Sequence, residues 1–385
     1  MYQLGFDEEV IVGVTDDSDK LDRFKEAFQR GEQGQVSDYR TWLKDQGFNP
    51  DYVTDNSWIT QYFKDHSERA VDHDEELEEV AEYLGFLSRR GGLYHLPVIG
   101  VSGVGKTLFL HTISHAVDAL GIEIPVKHLD AETFDDVGDD NRQRIRVIEE
   151  ELRKSNQIVV LVDNCRLERE IVESLRSIGD AVDDALILSS WTPEWWRHYC
   201  EDVDSALPVS DEIHLETFND REIGQVTDLV FKALSDGEVT PTDEFTTGVQ
   251  EYSFGVPRIA VELILRSLKA ACHGKLGLEN RDAIEKAAEA WRIQNLRESV
   301  YELPDARLKI LFWMLMDTDP RGMQPSKLVD QLQRDKSTVS YHLRELREAN
   351  IVESEKAGRM AFYRIREPVK PLVQSRITEE GEIHG

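Results

Sequence analysis

The chain has 385 residues and a formal net charge of −30, from 75 acidic against 45 basic side chains, and its length leaves room for two or three domains with cores of their own. Such acidity opposes nucleic-acid binding over the surface as a whole and suits a protein kept hydrated in strong salt, a halophilic cytoplasm being the expected setting, while 40% hydrophobic residues in periodic array exclude general disorder. Cys165, Cys200 and Cys272 are too few and too scattered for a disulfide framework or a zinc site, and no signal peptide or membrane-length apolar run is present, which predicts a soluble cytoplasmic protein without a membrane partner.

Residues 1–70 carry the weakest signals. Leu21–Arg30, Tyr39–Gly47 and Trp58–His66 read as short helices, and Trp42, Phe48, Tyr52, Trp58, Tyr62 and Phe63 could form a small helical core. No function is assigned to this segment. Asp72–Arg90 has Leu77, Val80, Ala81, Leu84 and Leu87 at helical spacing, with acids near its start where the helix dipole favours them, and Gly91-Gly92 to end it.

Tyr94–Ile99 then reads as a buried strand and Leu108–Val117 as an amphipathic helix. Between them, Gly100-Val101-Ser102-Gly103-Val104-Gly105-Lys106-Thr107 fits the P-loop pattern Gly-x-x-x-x-Gly-Lys-Thr without a mismatch. A strand, a glycine-rich turn and a helix N-terminus make a nest of backbone N–H groups aimed at an anion. These eight residues and Leu108 form the expected nucleotide site, with ATP and Mg²⁺ as ligands. Lys106 would reach the β/γ oxygens and Thr107 would hold Mg²⁺. The bland alternative is a loop that only turns the chain.

A second strand is expected at Ile122–Leu129, a helix at Asn141–Leu152, and a strand over Gln157–Asn164. A strand buried on both faces that ends in Asp163 would deliver a carboxylate beside the nucleotide, as a second holder of Mg²⁺. Asp184–Ser190 gives a further core strand, whose Ser189, Ser190 or following Thr192 either sense the γ-phosphate or merely begin a turn. Trp191, Trp195 and Trp196 are expected to pack on a neighbouring helix. A short strand at Glu212–Leu215 follows.

Asn219-Asp220-Arg221-Glu222 is a capping signal for a helix to Leu234. Further helices at Thr242–Tyr252, Pro257–His273 and Asn280–Asn295 make a helical lid. Arg258 lies in the first turn of one of them, where a cation is unfavourable without a nearby anion. The ATP phosphates would be that anion, an exposed structural arginine being the alternative.

Over residues from about 70 to 295, the P-loop, the acid-ended strand, the polar-ended strand and the lid with Gly255-Val256-Pro257-Arg258 together resemble the AAA+ and signal-transducing (STAND) ATPases, in particular their archaeal ATPase and origin-initiator group. In hydrolysing members the residue after the aspartate is usually the glutamate that activates water. Here it is Asn164, an amide that orients water but takes no proton, so the resemblance implies slow hydrolysis unless Glu168 or Glu170 substitutes. No arginine precedes Glu212–Leu215, where a ring-forming member usually carries its trans-acting finger, and Arg197 is poorly placed. Both departures favour a nucleotide-controlled switch over a ring motor, with Asp163, Asn164 and Arg258 as its catalytic set.

The charge reverses near the end. Arg321 to Lys370 holds 11 basic against 7 acidic residues, in a chain otherwise strongly acidic. Arg307–Met316, Pro325–Gln333 and Ser337–Ala349 read as three helices, the last two joined by Arg334-Asp335-Lys336. In the third, Val339, Leu343 and Leu346 share one face and leave Ser337, Tyr341 and Arg344 on the other, the pattern of a helix-turn-helix. Ile351–Ser354 and Met360–Arg366 read as a two-stranded wing with Lys356-Ala357-Gly358-Arg359 at its tip. The run from Ser337 to Leu346 is similar to the arsenic-repressor type of winged helix, which implies that Thr338, Ser340, Tyr341 and Arg344 lie along a DNA major groove. With Lys336, Ser337, Lys356 and Arg359 these make up the expected DNA-binding set. A winged helix used for protein docking is the alternative; His342, beside the apolar face, reads as partly buried.

The expected fold is therefore an α/β P-loop NTPase core with a parallel sheet, an all-helical lid, a C-terminal winged helix-turn-helix and a small helical N-terminal segment. Its expected divisions are 1–70, 71–216, 217–298, 299–372 and an acidic tail at 373–385. The expected function is a DNA-binding regulator, a weak ATPase in which nucleotide state controls engagement of double-stranded DNA, with a homo-oligomer on DNA left open. An origin-recognition initiator is the near alternative, and a mobile-element or defence ATPase or a motor enzyme the further ones.

Overall fold

The computed structural model describes residues 36–55, 57–69, 71, 73–134, 147–148, 150, 152–165, 169–358 and 360–379. The expected helix at Leu21–Arg30, the first part of that at Asn141–Leu152, Glu168 and Arg359 lie outside the described residues.

Five parallel strands, β1 (Leu93–Gly100), β2 (Val126–Asp130), β3 (Ile158–Cys165), β4 (Ala185–Trp191) and β5 (Ile213–Leu215), form one sheet in the order β2-β3-β4-β1-β5. Val159, Val160, Leu161 and Val162 are all fully buried. Their unbroken apolar run follows from helices covering both faces of a parallel sheet. Two separate apolar clusters lie on those faces, one around Trp191, Trp195 and Leu175 and the other around Leu96, Phe109 and Leu161. Because β4 lies between β1 and β3, the acidic end of β3 reaches the P-loop across the end of β4.

A polar residue sits at the centre of this sheet. His95 on β1 is fully buried, with Nε2 2.8 Å from Ser189 Oγ and Nδ1 3.3 Å from the Leu207 carbonyl. Trp191 Nε1 donates to the same Ser189 oxygen at 2.7 Å, so the serine O–H is free to donate to Nε2 and the neutral Nδ1–H tautomer satisfies every partner. Burial pulls the imidazole down to about 4. The unfolded chain therefore binds a proton near pH 6.5 that the folded chain refuses, and stability falls as pH drops from 6.5 towards 4. We expect this site to remove up to about 3 kcal/mol over that window. Urea denaturation at pH 7.5 and pH 4.5 should show a loss that shrinks by about that amount in His95→Asn.

The lid consists of helices Asp220–Leu234, Asp243–Ser253, Pro257–Gly274 and Asp282–Trp291. Asn219 and Glu222 form the expected capping box, Asn219 Oδ1 accepting from Glu222 N at 3.1 Å and Glu222 Oε2 from Asn219 N at 2.8 Å. The N-terminal helices Val36–Asp45, Pro50–Thr54 and Trp58–Asp65 have no core of their own, contrary to the sequence-based expectation. Leu43, Phe48, Val53 and Ile59 enter the lid core: Phe48 meets Phe231 edge-on at 5.5 Å, and Asn49 N donates to the Leu234 carbonyl at 2.8 Å. So short a segment cannot bury enough apolar surface by itself.

The winged helix comprises helices Asp305–Leu315, Pro325–Leu332 and Lys336–Glu348 with the antiparallel pair β6 (Val352–Ala357) and β7 (Met360–Ile365). Its apolar residues, among them Leu311, Leu343 and Ile351, are continuous with the lid core. Arg366 fastens the two by donating to the Asn350 carbonyl at 2.6 Å and to the Trp291 carbonyl. The expected acidic tail is corrected as well. Lys370–Glu379 is a helix in which Leu372, Val373, Gln374, Arg376 and Ile377 are buried. Val369, Leu372, Val373 and Ile377 recur at helical spacing, a signal the net charge of the terminus conceals.

Candidate functional site: a nucleotide cleft walled by the winged helix

The P-loop leaves the sheet at the end of β1, between β4 and β5, and enters the helix Lys106–Leu120. Gly103 and Gly105 take φ of +83° and +123°, which side chains with a Cβ rarely adopt. At Gly103 a Cβ would also stand 2.9 Å from that of Arg258, so the lid helix closes on the loop at a position only glycine fits. The helix N-terminus has no side-chain cap. Its leading amides are thus left for a ligand.

Lys106 turns back on the loop, Nζ donating to the carbonyls of Gly100 at 2.6 Å and Val101 at 3.0 Å. Burial pulls its ammonium down to about 8, against the opposing attraction of Glu194 and Asp163. Thr107 Oγ1 donates to Asp163 Oδ2 at 2.7 Å, and Ser190 Oγ donates to Asp163 Oδ1 at 2.5 Å. Asp163 Oδ1 also accepts from Asn164 N at 2.9 Å. A hydroxyl and a carboxylate oxygen meeting at the mouth of the loop are hard donors of the kind Mg²⁺ takes, one or two protein oxygens sufficing beside a substrate's own phosphates.

A cavity of about 1230 Å³ holds these groups together. It is lined by Ser102 through Leu108, Asp163, Asn164, Ser190, Thr192, Glu194 and Arg258. Of the three hydroxyls considered as phosphate sensors, Ser190 and Thr192 face it, whereas Ser189 spends its oxygen on His95 and Trp191. Asn164 takes a left-handed φ of +59°, which asparagine tolerates better than glutamate, and its Nδ2 donates to Asp130 Oδ1 at 3.2 Å. Arg258 sits beside the loop, its backbone N donating to the Gly103 carbonyl at 3.2 Å. Its guanidinium, however, is held at 3.0 Å by Glu367, beyond the wing.

Three residues of this cleft escaped the sequence reading. Glu194 opens the helix Pro193–Ala206, buried, with Oε1 accepting from Gln374 Nε2 at 2.8 Å. Burial pushes its carboxyl up, against the pull of Gln374 and Lys106. Gln374 in turn accepts from Ser102 N, within the P-loop, at 2.7 Å. Glu367 is the third. The Thr-Pro-Glu start of the helix bearing Glu194 is a legible N-terminal signal, but nothing local ties residues 367 and 374 to a loop more than 250 positions earlier. The winged helix itself lines the cavity, through Leu315, Asp317, Glu353, Arg364 and Ile365.

None of the helix Lys336–Glu348 lines the cavity; it buries Val339, Leu343 and Leu346 and exposes Lys336, Ser337, Ser340, Tyr341 and Arg344. Arg344 lies over the Tyr341 ring at 5.5 Å and has Glu345 and Glu348 at 3.7 and 3.9 Å. Asp335 caps the helix, accepting from Thr338 N at 3.0 Å, Thr338 Oγ1 at 2.8 Å and the Ser337 hydroxyl. These bonds hold its carboxyl well below the usual range. Lys356 is exposed on β6, and His342 is half-buried with its imidazole pulled down by burial. Among the described residues no cluster of histidine, cysteine and carboxylates could hold a metal ion, and no helix is long and apolar enough to cross a membrane.

The sequence profile of the bacterial regulatory proteins of the arsR family matches residues 304–354, the three helices and the start of the wing. No curated protein sequence matches the chain. Similar solved structures include the Thermotoga maritima RuvB Holliday junction branch migration motor, at 16% identity and TM-score 0.45 over 81% of this chain and 96% of that one. The Aeropyrum pernix ORC1 protein in complex with DNA is similar at 15% identity and TM-score 0.47, over 79% and 92%. The Aeropyrum pernix ORC2 protein (ADPNP–ADP complexes) is similar at 16% and 0.46, over 79% and 94%.

Proposed function

We propose that the chain is an ATP-dependent DNA-binding regulator, in which the nucleotide held at the P-loop sets how the winged helix meets duplex DNA. The reading rests on one observation above all. One cleft is lined by the P-loop, the lid and the winged helix, so a ligand at the P-loop would lie in a space that the DNA-binding module also walls. Ser102 through Leu108 would cradle the phosphates, Lys106 would neutralise them, and Thr107 with Asp163 would hold Mg²⁺, which supplies charge neutralisation and orientation of the β and γ oxygens. Arg258 would read the γ end once freed from Glu367. Hydrolysis would be slow, since Asn164 lends its amide to Asp130 and supplies no base.

Double-stranded DNA as partner is supported by the arsR-type match and by the exposed, polar and partly basic outer face of the helix Lys336–Glu348. Mapping chromosomal sites tests the biological role. Enrichment at promoters is expected of a regulator, whereas occupancy confined to clustered repeats at one replication origin would replace this reading by that of an initiator. Binding must be measured across a salt series that reaches high salt, because DNA affinity falls steeply with salt.

A further inference from the structure

Two groups of the nucleotide site are already taken by oxygens from the segment that follows the wing. The P-loop amide of Ser102 donates to Gln374 Oε1 at 2.7 Å, and the Arg258 guanidinium pairs with Glu367 Oε2 at 3.0 Å. The orientation of the Gln374 carboxamide is fixed by its neighbours, because Ser102 N–H can only donate and the Glu194 carboxylate accepts from Nε2 at 2.8 Å. Gln374 is buried, so its bond to Ser102 is no chance meeting of mobile surface chains, whereas the Arg258–Glu367 pair is exposed. Both acceptors resemble phosphate in the one respect that matters at these donors, an oxygen offered to an N–H.

We propose that the C-terminal segment 367–379 is a competitive latch on the P-loop, which a nucleoside triphosphate must displace and whose release frees the winged helix. The inference rests on the function proposed above and names the regulation of that same site. An amide N–H serves one strong acceptor at a time, so a phosphate oxygen at Ser102 and a docked Gln374 exclude each other.

The segment can pass the displacement on. Arg376 donates to the Leu303 carbonyl at 2.7 Å and to that of Val300, both just before the first helix of the winged module. Arg197 Nη1 donates to the Ile377 carbonyl at 3.1 Å, which ties the same helix to the sheet domain. Tyr301 donates to Glu379 at 3.0 Å. The helix Lys370–Glu379 thus touches the phosphate loop at one residue and the base of the DNA-binding module at three. The segment's docked groups, the Glu367 carboxyl and the Gln374 carboxamide, favour one state; a triphosphate favours the other. Two states biased in opposite directions by two ligands of one site are what a switch requires.

The test uses the full chain as wild type, Gln374→Ala, Gln374→Met and Lys106→Ala, with folding checked by circular dichroism. Mg-ATP affinity is measured by calorimetry, and amide hydrogen exchange of residues 370–379 is followed with and without Mg-ATP. Loss of the competing acceptor should tighten Mg-ATP about tenfold in both Gln374 variants, the size of one hydrogen bond to a buried donor. In the wild type, Mg-ATP should speed exchange in 370–379; in Lys106→Ala it should not. Unchanged affinity in both Gln374 variants with ATP-independent exchange, while the wild type still binds ATP, overturns the latch and leaves the nucleotide site standing. Absence of ATP binding in wild type and Gln374 variants alike overturns both.

Discussion

Replacing Lys106 by alanine is expected to weaken Mg-ATP binding roughly 10- to 150-fold, the worth of one or two charge-assisted hydrogen bonds, while the fold stays intact. The lysine is half-buried in the cleft, and desolvation there pulls its ammonium down to about 8. It donates to the carbonyls of Gly100 and Val101, and these neutral acceptors, with the attraction of Glu194 and Asp163, repay only part of its desolvation. Phosphate oxygens would repay it in full, so the nucleotide complex must raise the lysine's proton affinity. By linkage, binding then takes up a proton above the free value, and ATP affinity should fall as pH rises past 8. Calorimetric titration at pH 7 and pH 9, in wild type and Lys106→Ala, checks both parts. A wild type indifferent to pH over that range, or a variant that binds as well as wild type, contradicts this role for Lys106.

The second large effect belongs to the winged helix. Arg344→Ala and Tyr341→Ala should each weaken specific duplex binding by about 1–3 kcal/mol, roughly 5- to 150-fold, with Mg-ATP affinity unchanged. Both side chains are exposed at the middle of the helix Lys336–Glu348, and the guanidinium over the Tyr341 ring presents a preorganised pair. Glu345 and Glu348 hold Arg344 at 3.7 and 3.9 Å, loose enough to be exchanged for a base edge or a phosphate. Lys356→Ala, out on the wing, should instead lower affinity for every sequence alike and reduce the slope of log affinity against log salt by about one. Fluorescence anisotropy with a short labelled duplex across a salt series separates the two kinds of loss. If Arg344→Ala behaved as Lys356→Ala does, the helix would be contacting the backbone and not the bases.

How much of this was legible beforehand follows from the range of each interaction. The P-loop, the acid at the end of β3, the Asn219 cap and the helix-turn-helix are written in spacings of a few residues, and each is found where its spacing puts it. The meeting of Thr107 with Asp163 follows from two such local patterns on neighbouring parts of one sheet. What the sequence could not give was the arrangement between distant segments. The N-terminal aromatics fill the lid because thirty residues cannot make a core, and only the packed structure shows whose core they join. The terminal helix was hidden by its own charge, since Lys370, Arg376 and Glu379 flank an apolar stripe that composition alone averages away. Arg258 is instructive in another way. Its place at a helix N-terminus called for an anion, and the structure supplies one, but from Glu367 of the same chain.

That exchange of one anion for another is also where the account is most exposed. A nucleotide can control the winged helix only if it binds two states of the protein unequally. The most direct measurement is therefore the affinity of the full chain for one duplex, at one fixed salt concentration, with no nucleotide, with Mg-ATP and with Mg-ADP. We expect Mg-ATP to shift that affinity by at least fivefold, a coupling of about 1 kcal/mol, and Lys106→Ala to abolish the shift. Identical affinities under all three conditions, in a protein that demonstrably holds ATP, would contradict it.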